Sequence, residues 1–514
     1  MRVVIRTDAS VTIGHGHVVR CLTLASALRQ RGASVTFVCR EHAGHLCDLI
    51  EHNAFSVSRL VDFPICAPAR AESALSSTED WQADASQTRD AVEAAGTRPD
   101  WLIVDHYGLD HRWVAALRTS VHRVLVVDDL ADRIHDCDAL LDQNLVARMY
   151  TRYLGKVPQN CSLMLGPRYA LLHPSYAAYR ERVSPRKGPI RRVLVSFGGT
   201  DSGALTALAL NSLRHLKPGN ITIDAALTRT SRHAPEVLAS AAAHENIHLH
   251  YNLPTLAPLM AQADLAIGAG GTTSWERLCL GLPSLVVTMA DNQRAVTAEL
   301  NRRGLVRWVG HKDQIDESLL SGAASDLFEQ GLSETWSEDC LATVDANGAD
   351  RVAEALSTTS GSRLRARRAR PSDSAPLLEW ANDPLTRRNG FNPNPISPET
   401  HANWFTARLK DPHKCHLYIM ELEDGSAIGQ VRFEDTGAEG WAVHYSLNPQ
   451  FRGLRLGRNL LQTAMLEFAA GIGSTTVFGE VRAENYPSRH IFESLGFERQ
   501  LDSERSMLRY RSVI

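Results

Sequence analysis

The chain has 514 residues, 44% of them apolar and 22% charged, with 55 Lys plus Arg against 58 Asp plus Glu for a formal net charge of -3. That mixture excludes a disordered or fibrous chain, is too long for one compact core, and lacks the overall basic field that would hold nucleic acid or an anionic membrane. No apolar stretch approaches the roughly 20 residues that span a bilayer, the first residues carry no secretory signal, and nine scattered cysteines without a C-x-x-C pair argue against a disulfide framework or structural zinc. The expectation is a soluble cytoplasmic protein without membrane insertion.

Arg2 to Arg6 reads as a short strand, followed by a glycine loop and a helical stretch from Val18 to Arg31. Val35 to Cys39, Trp101 to Asp105 (WLIVD) and Val124 to Asp128 (VLVVD) continue the series, the last two each ending in an acid. Unbroken Val/Ile/Leu runs are what a parallel sheet covered on both faces requires. The pattern restarts at Arg192 to Phe197 and continues through Asn220 to Ala226, Ile247 to Tyr251, Leu265 to Ile267 and Ser284 to Thr288. The fold class predicted is α/β, with two Rossmann-like lobes at 1–160 and 161–356. A Ser/Thr/Gly patch running into an arginine-rich stretch near 357–370 reads as a solvated linker. Beyond it, Leu417 to Glu421, Ala427 to Phe433 and Trp441 to Leu447 read as an antiparallel meander, then a helix from Arg458 to Ala470, in an α+β domain at 357–514.

The first glycine loop, Ile13-Gly14-His15-Gly16-His17, lies after a first strand, where open α/β sheets bind ligands. Gly14 and Gly16 let a ligand approach the backbone, and the helix beginning near His17 turns its free N–H groups into the same space. Imidazole suits proton removal from water or support of a departing phosphate; a loop histidine satisfied by backbone is the equal alternative. In the second lobe, Gly198-Gly199-Thr200 and Gly270-Gly271-Thr272-Thr273 read as diphosphate cradles, and Glu276 is placed to accept ribose hydroxyls. Two merely steric turns are the alternative. Tyr107 is a pocket group or a packed aromatic cap; Asn292 and Gln293 reach the ligand or close a turn. The absence of G-x-x-x-x-G-K-[ST] speaks against an ATP-hydrolysing loop.

These residues lie in motifs that, taken together, resemble the UDP-2,4-diacetamido-2,4,6-trideoxy-β-L-altropyranose hydrolases of pseudaminic acid biosynthesis, relatives of the MurG-type glycosyltransferases of GT-B fold. The motifs are IRTDASVTIGHGHVVRCLTLA (5–25), VDHYGLD (104–110), VVDDLADR (126–133), LLDQN (140–144), LGPRYALL (165–172), VSFGGTD (195–201) and GAGGTTSWERLCLGLPSLVVTMADNQ (268–293). The resemblance implies hydrolysis at the anomeric carbon of a UDP-linked amino sugar, no metal, and His17 as the catalytic group.

Tyr445 to Leu461 reads as strand, glycine/arginine loop and helix, and Glu484 to Ser488 leads into Phe492 to Phe497. This pair resembles the GCN5-related N-acetyltransferases, which implies acetyl-CoA as co-substrate. In that family the loop, here Arg452-Gly453-Leu454-Arg455-Leu456-Gly457-Arg458, holds the pyrophosphate. Ser446 and Leu447 bond the pantetheine, and Asn485 lies near the cofactor. Arg455 stands where a glycine is usual and Phe492 where many members carry a tyrosine acid; Tyr486 and His444 are both candidates to replace it. The joined resemblances imply two consecutive steps: acetylation of the 4-amino group of a UDP-linked amino sugar, then hydrolysis. A sugar transferase, a UDP-sugar sensor and a protein N-acetyltransferase are the competing expectations.

Overall fold

The computed structural model describes residues 1–61, 78–94, 96–158, 161–198, 204–214, 221–228, 233–242, 244–357, 364–390, 392–422, 424–454, 456–500 and 507–514. Gly199, Thr200 and Arg455 therefore lie outside the described residues. The chain divides into two compact units, Met1–Val146 with Lys156–Thr359, and Ala147–Gly155 with Ser360–Ile514.

The first unit contains two parallel sheets. Strands β1 (Arg2–Thr7), β2 (Ser34–Arg40), β3 (Ser56–Leu60), β4 (Trp101–Asp105), β5 (Arg123–Val127), β6 (Ala139–Asp142) and β7 (Ser162–Leu165) are ordered β3-β2-β1-β4-β5-β6-β7. All five residues of β4 are buried, as an aliphatic run in a doubly covered sheet must be. Strands β8 (Arg192–Ser196), β9 (Thr222–Leu227), β10 (Ile247–Tyr251), β11 (Leu265–Ala269), β12 (Ser284–Thr288) and β13 (Arg307–His311) follow the order β10-β9-β8-β11-β12-β13. Both orders reverse direction beside their first strand. Each reversal opens a crevice at the carboxyl ends of two neighbouring strands, where such sheets take their ligands. In the first sheet the crevice lies between β1 and β4, and in the second between β8 and β11.

The first sheet runs on to β7, past residue 160, and the helix Gly348–Ser357 returns to it. Val352, Ala353 and Leu356 join the core formed by Val3, Ile5, Leu24 and Phe37. Trp101 Nε1 donates to the Leu356 carbonyl at 3.0 Å.

The second unit is built on β14 (Arg365–Arg368), β15 (Cys415–Glu421), β16 (Ala427–Asp435), β17 (Trp441–Leu447), β18 (Thr476–Arg482), β19 (Glu498–Gln500) and β20 (Met507–Val513), ordered β14-β15-β16-β17-β18-β20-β19. β17 pairs with β16 along its whole length, from Trp441 to Leu447. With β18 it pairs in parallel at only two positions, Trp441–Val477 and Ala442–Phe478. Past Ala442 the two strands part. Among the described residues no helix is long and apolar enough to cross a membrane.

Candidate active sites

Gly14 turns the loop after β1 through a φ of +83°, and its N–H donates to the Ser10 carbonyl at 2.9 Å. The helix Gly16–Gln30 begins two residues later. His15 is exposed, whereas His17 is only 7% exposed and turns inward. Its Nδ1 lies 2.6 Å from Asp105 Oδ1 at the carboxyl end of β4. Arg20, one turn along the same helix face, donates from Nε to Asp105 Oδ2 and from Nη2 to Oδ1, both at 2.6 Å. Burial pushes the Asp105 carboxyl up, but Arg20 and then His17 outweigh it and hold it well below the usual carboxylate range. An ionised carboxylate only accepts, so the Nδ1 proton of His17 donates to it, and in the uncharged form of the ring the lone pair is on Nε2. Nε2 makes no hydrogen bond among the described residues.

The Tyr107 ring stands edge-on to His17 with centroids 4.6 Å apart. Its hydroxyl donates to Asp129 Oδ2 at 3.0 Å, and Arg20 Nη1 reaches the same oxygen at 3.2 Å. Burial and then Asp129 push the Tyr107 phenol up, so it remains a donor. Beside this group, His106 Nε2 lies 3.4 Å from Asp8 Oδ2. Asp105, Arg20 and Asp129 are members of the cluster that sequence reasoning did not name. The signals were present in the acid closing WLIVD, the i, i+3 spacing from His17 to Arg20, and the VVDD run.

At the crevice of the second sheet, Gly198 follows β8 with a φ of +83°. Two glycines of the second loop are fixed by packing. A Cβ on Gly268 would lie 2.4 Å from the Ser196 carbonyl oxygen, and one on Gly270 would lie 2.5 Å from Thr297 Oγ1. Gly271 is different, since a Cβ there would meet only Gln293 Nε2, at 3.6 Å. Thr272 is exposed and Thr273 opens the helix Thr273–Cys279. Under the loop, the buried Arg277 donates from Nη2 to the Ala269 carbonyl at 2.8 Å and to Ser274 Oγ at 3.1 Å. Burial pushes the Glu276 carboxyl up to about 7, with Tyr176 and Arg277 pulling the other way. Gln293 Oε1 accepts from the Met289 N–H at 2.8 Å, which closes the turn and leaves its amide nitrogen toward Gly271. Asn292 is exposed at the start of the helix Asn292–Arg302.

In the second unit, the strand carrying Ser446 and Leu447 has an unpaired edge past Ala442, so its backbone groups there are open to an amide-bearing chain. Gly453 takes a φ of +80°, Leu454 is exposed, and Leu456 and Gly457 open the helix Gly457–Ile472. The Arg452 guanidinium donates to Asp383 Oδ1 and Thr386 Oγ1, both at 2.6 Å. Arg458 is buried and donates to Gln462 Oε1 at 2.7 Å. Asn485 Oδ1 accepts from the Ser488 N–H at 3.3 Å, capping the helix Tyr486–Ser494.

Residues 363–498 match the family described as acetyltransferase (GNAT) domain. The back unit carries a GNAT-type domain. A GNAT domain implies acetyl-CoA as co-substrate, and the parted strands with a glycine loop at a helix N-terminus fit a pantetheine arm and its pyrophosphate. The front of the chain is similar to the UDP-2,4-diacetamido-2,4,6-trideoxy-beta-L-altropyranose hydrolase of Campylobacter jejuni, at 26% identity over 306 residues, covering 59% of this chain and 97% of that protein. The spore coat polysaccharide biosynthesis protein SpsG of Bacillus subtilis is 24% identical over 370 residues, covering 69% of this chain and 98% of its own. A relative from Methanocaldococcus jannaschii is 22% identical over 514 residues and matches 97% of each chain, the GNAT domain included. Among solved structures, MurG of Acinetobacter baumannii superposes with a TM-score of 0.50 at 14% identity, over 69% of this chain and 99% of its own, a likeness of fold. Among the described residues no group of three or more His, Cys, Asp or Glu is placed to hold a metal ion.

Proposed function

We propose that the chain is a two-activity cytoplasmic enzyme of amino-sugar nucleotide metabolism. In this reading the GNAT domain uses acetyl-CoA to acetylate the 4-amino group of a UDP-linked amino sugar. The front unit then hydrolyses the resulting UDP-2,4-diacetamido-2,4,6-trideoxy-β-L-altropyranose to UDP and the free sugar. The observation that carries the hydrolase half is the 2.6 Å pair between His17 Nδ1 and an ionised Asp105, which leaves Nε2 as a base at a helix N-terminus. The relatives' names and the family match supply the substrate and the acyl donor.

In the proposed step His17 Nε2 takes a proton from water as the water oxygen bonds to the anomeric carbon. The bond from that carbon to the phosphate oxygen breaks, and UDP leaves with the electron pair. Asp105 supports the imidazolium that forms. The loop at Gly270, Gly271, Thr272 and Thr273, with Gly198, Gly199 and Thr200, answers the leaving charge. Glu276 takes the ribose hydroxyls, and Asn292 and Gln293 border the same loop. Tyr107 holds the His17 ring.

A sugar transferase is the competing reading, since the fold is shared with MurG. Mass spectrometry of the full chain given the UDP-linked amino sugar and acetyl-CoA tests both halves. Acetylated product followed by UDP and free sugar, with no acceptor added, is the expected outcome; UDP release that depends on an acceptor would overturn the hydrolase half. His17→Ala is expected to keep UDP affinity and lose about 10²–10⁴-fold in turnover, and native turnover in that variant would remove His17 from the chemistry.

A further inference from the structure

Where β17 and β18 part, two rings face each other across the opening. Tyr445 lies on the unpaired stretch of β17, and Phe492 lies on the helix Tyr486–Ser494, with centroids 5.9 Å apart and edge to face. Phe492 is 2% exposed, stacks on Tyr510 at 5.5 Å, and presses so closely on β18 that a Cβ on Gly479 would lie 2.4 Å from its Cζ. It has no proton to give. The Tyr510 hydroxyl is already committed to Glu493 Oε1 at 2.7 Å. Tyr486 is 69% exposed, beneath the Arg489 guanidinium. His444 Nε2 lies 3.5 Å from Glu434, and burial and then Arg432 lower the ring to about 4, so at neutral pH it is a neutral imidazole and not an imidazolium acid.

Tyr445 differs from all of these. Its hydroxyl is shut off from solvent and, among the described residues, makes no hydrogen bond of ordinary geometry, with only the Ser488 side chain acting on it. A buried hydroxyl left unanswered costs stability unless a bound group meets it. Burial pushes the phenol up to about 12, the nearby Ser488 pulling the other way, so it stays protonated at neutral pH.

We propose that Tyr445 is the proton donor to the coenzyme A sulfur during acetyl transfer. The assignment rests on the acetyltransferase reading above. The acceptor nitrogen forms a bond to the acetyl carbon, and the carbon–sulfur bond breaks with its electron pair on sulfur. The Tyr445 hydroxyl passes its proton to that sulfur. The amine nitrogen sheds one proton and the phenolate takes one up, so the net products are the amide and free thiol.

The test uses the full chain and reads thiol release from acetyl-CoA with the UDP-linked amino sugar, beside calorimetric binding of coenzyme A. Tyr445→Phe is expected to lower kcat by about 10²-fold or more, while the KM for acetyl-CoA and the affinity for coenzyme A move by less than about twofold. An unimpaired kcat in this variant overturns the assignment alone. A joint loss of kcat and coenzyme A affinity also overturns it, because it marks a packing residue. A parent chain that takes up no coenzyme A removes the acetyltransferase reading and this assignment together.

Discussion

Arg20 and Asp105 meet as two planar forks, Nε to Oδ2 and Nη2 to Oδ1, each at 2.6 Å. The pair holds a carboxylate against His17 Nδ1, and in the proposed hydrolysis that makes Nε2 the base. Asp105→Asn keeps the shape, but its amide can offer N–H to Nδ1 and leave the proton on Nε2. Turnover of the UDP-sugar is expected to fall by roughly 10²–10⁴-fold with UDP affinity unchanged. Rates of UDP release and calorimetric UDP binding check this. Parent-like turnover in Asp105→Asn would mean that His17 does not act through Nε2.

In the proposed reading, Glu276 makes the ribose contact sensitive to pH. Its carboxyl is pushed up to about 7, so the empty site holds it partly neutral near neutrality. Ribose hydroxyls donate best to the charged form, so binding draws a proton off and affinity rises as pH climbs through 7. Between pH 6 and 8 the ionised share grows from about a tenth to about nine tenths, and UDP binding is expected to tighten by up to about tenfold. Glu276→Gln should bind UDP more weakly at pH 8 and show no such slope. A parent chain whose UDP affinity is flat across that range would take Glu276 out of the ribose contact.

The two kinds of glycine in the second-lobe loop separate by substitution. Gly268→Ala forces a Cβ against a strand carbonyl and is expected to cost about 1–3 kcal/mol of stability. Gly271→Ala has room, with only the movable Gln293 amide beside it, so the melting temperature should hold while UDP binding weakens. Thermal melts with and without UDP distinguish these outcomes. Equal loss of stability at both positions would make the loop a steric turn throughout.

Much of this arrangement was legible in the sequence for local reasons. WLIVD and VLVVD read as buried strands because a parallel sheet needs unbroken aliphatics, and the glycine-to-helix junction at His17 is written within a few residues. What was not legible depends on distant pairing. That His17 meets Asp105 follows from β4 lying beside β1, with Thr7 opposite Asp105 in the ladder, and no local pattern encodes that neighbour. Short or polar strands such as β3, with its SVSRL sequence, and the four-residue β6 and β7 carry too little pattern to be read. The return of Gly348–Ser357 to the first sheet and the parting of β17 from β18 are likewise long-range facts. Gly268 and Gly270 look like ligand glycines in sequence, and only the fold shows the carbonyl and hydroxyl that require them.

Arg452 couples the loop of the GNAT domain to the helix Pro384–Asn389. In the fold it donates to Asp383 and Thr386, so reaching a pyrophosphate means giving up that pair. Asp383 also caps its helix by accepting from the Leu385 and Thr386 N–H groups, a role that asparagine fills equally well. Asp383→Asn therefore removes the competing charge without removing the cap. A part-exposed ion pair of this kind is worth about 0.2–1 kcal/mol, so coenzyme A is expected to bind up to about fivefold more tightly to Asp383→Asn. Arg452→Ala should weaken binding, and in the double variant the gain from Asp383→Asn should vanish. Calorimetric titration of the full chain with coenzyme A reads all three. An Asp383→Asn gain that survives in the Arg452→Ala background would show that Arg452 never leaves its helix for the cofactor.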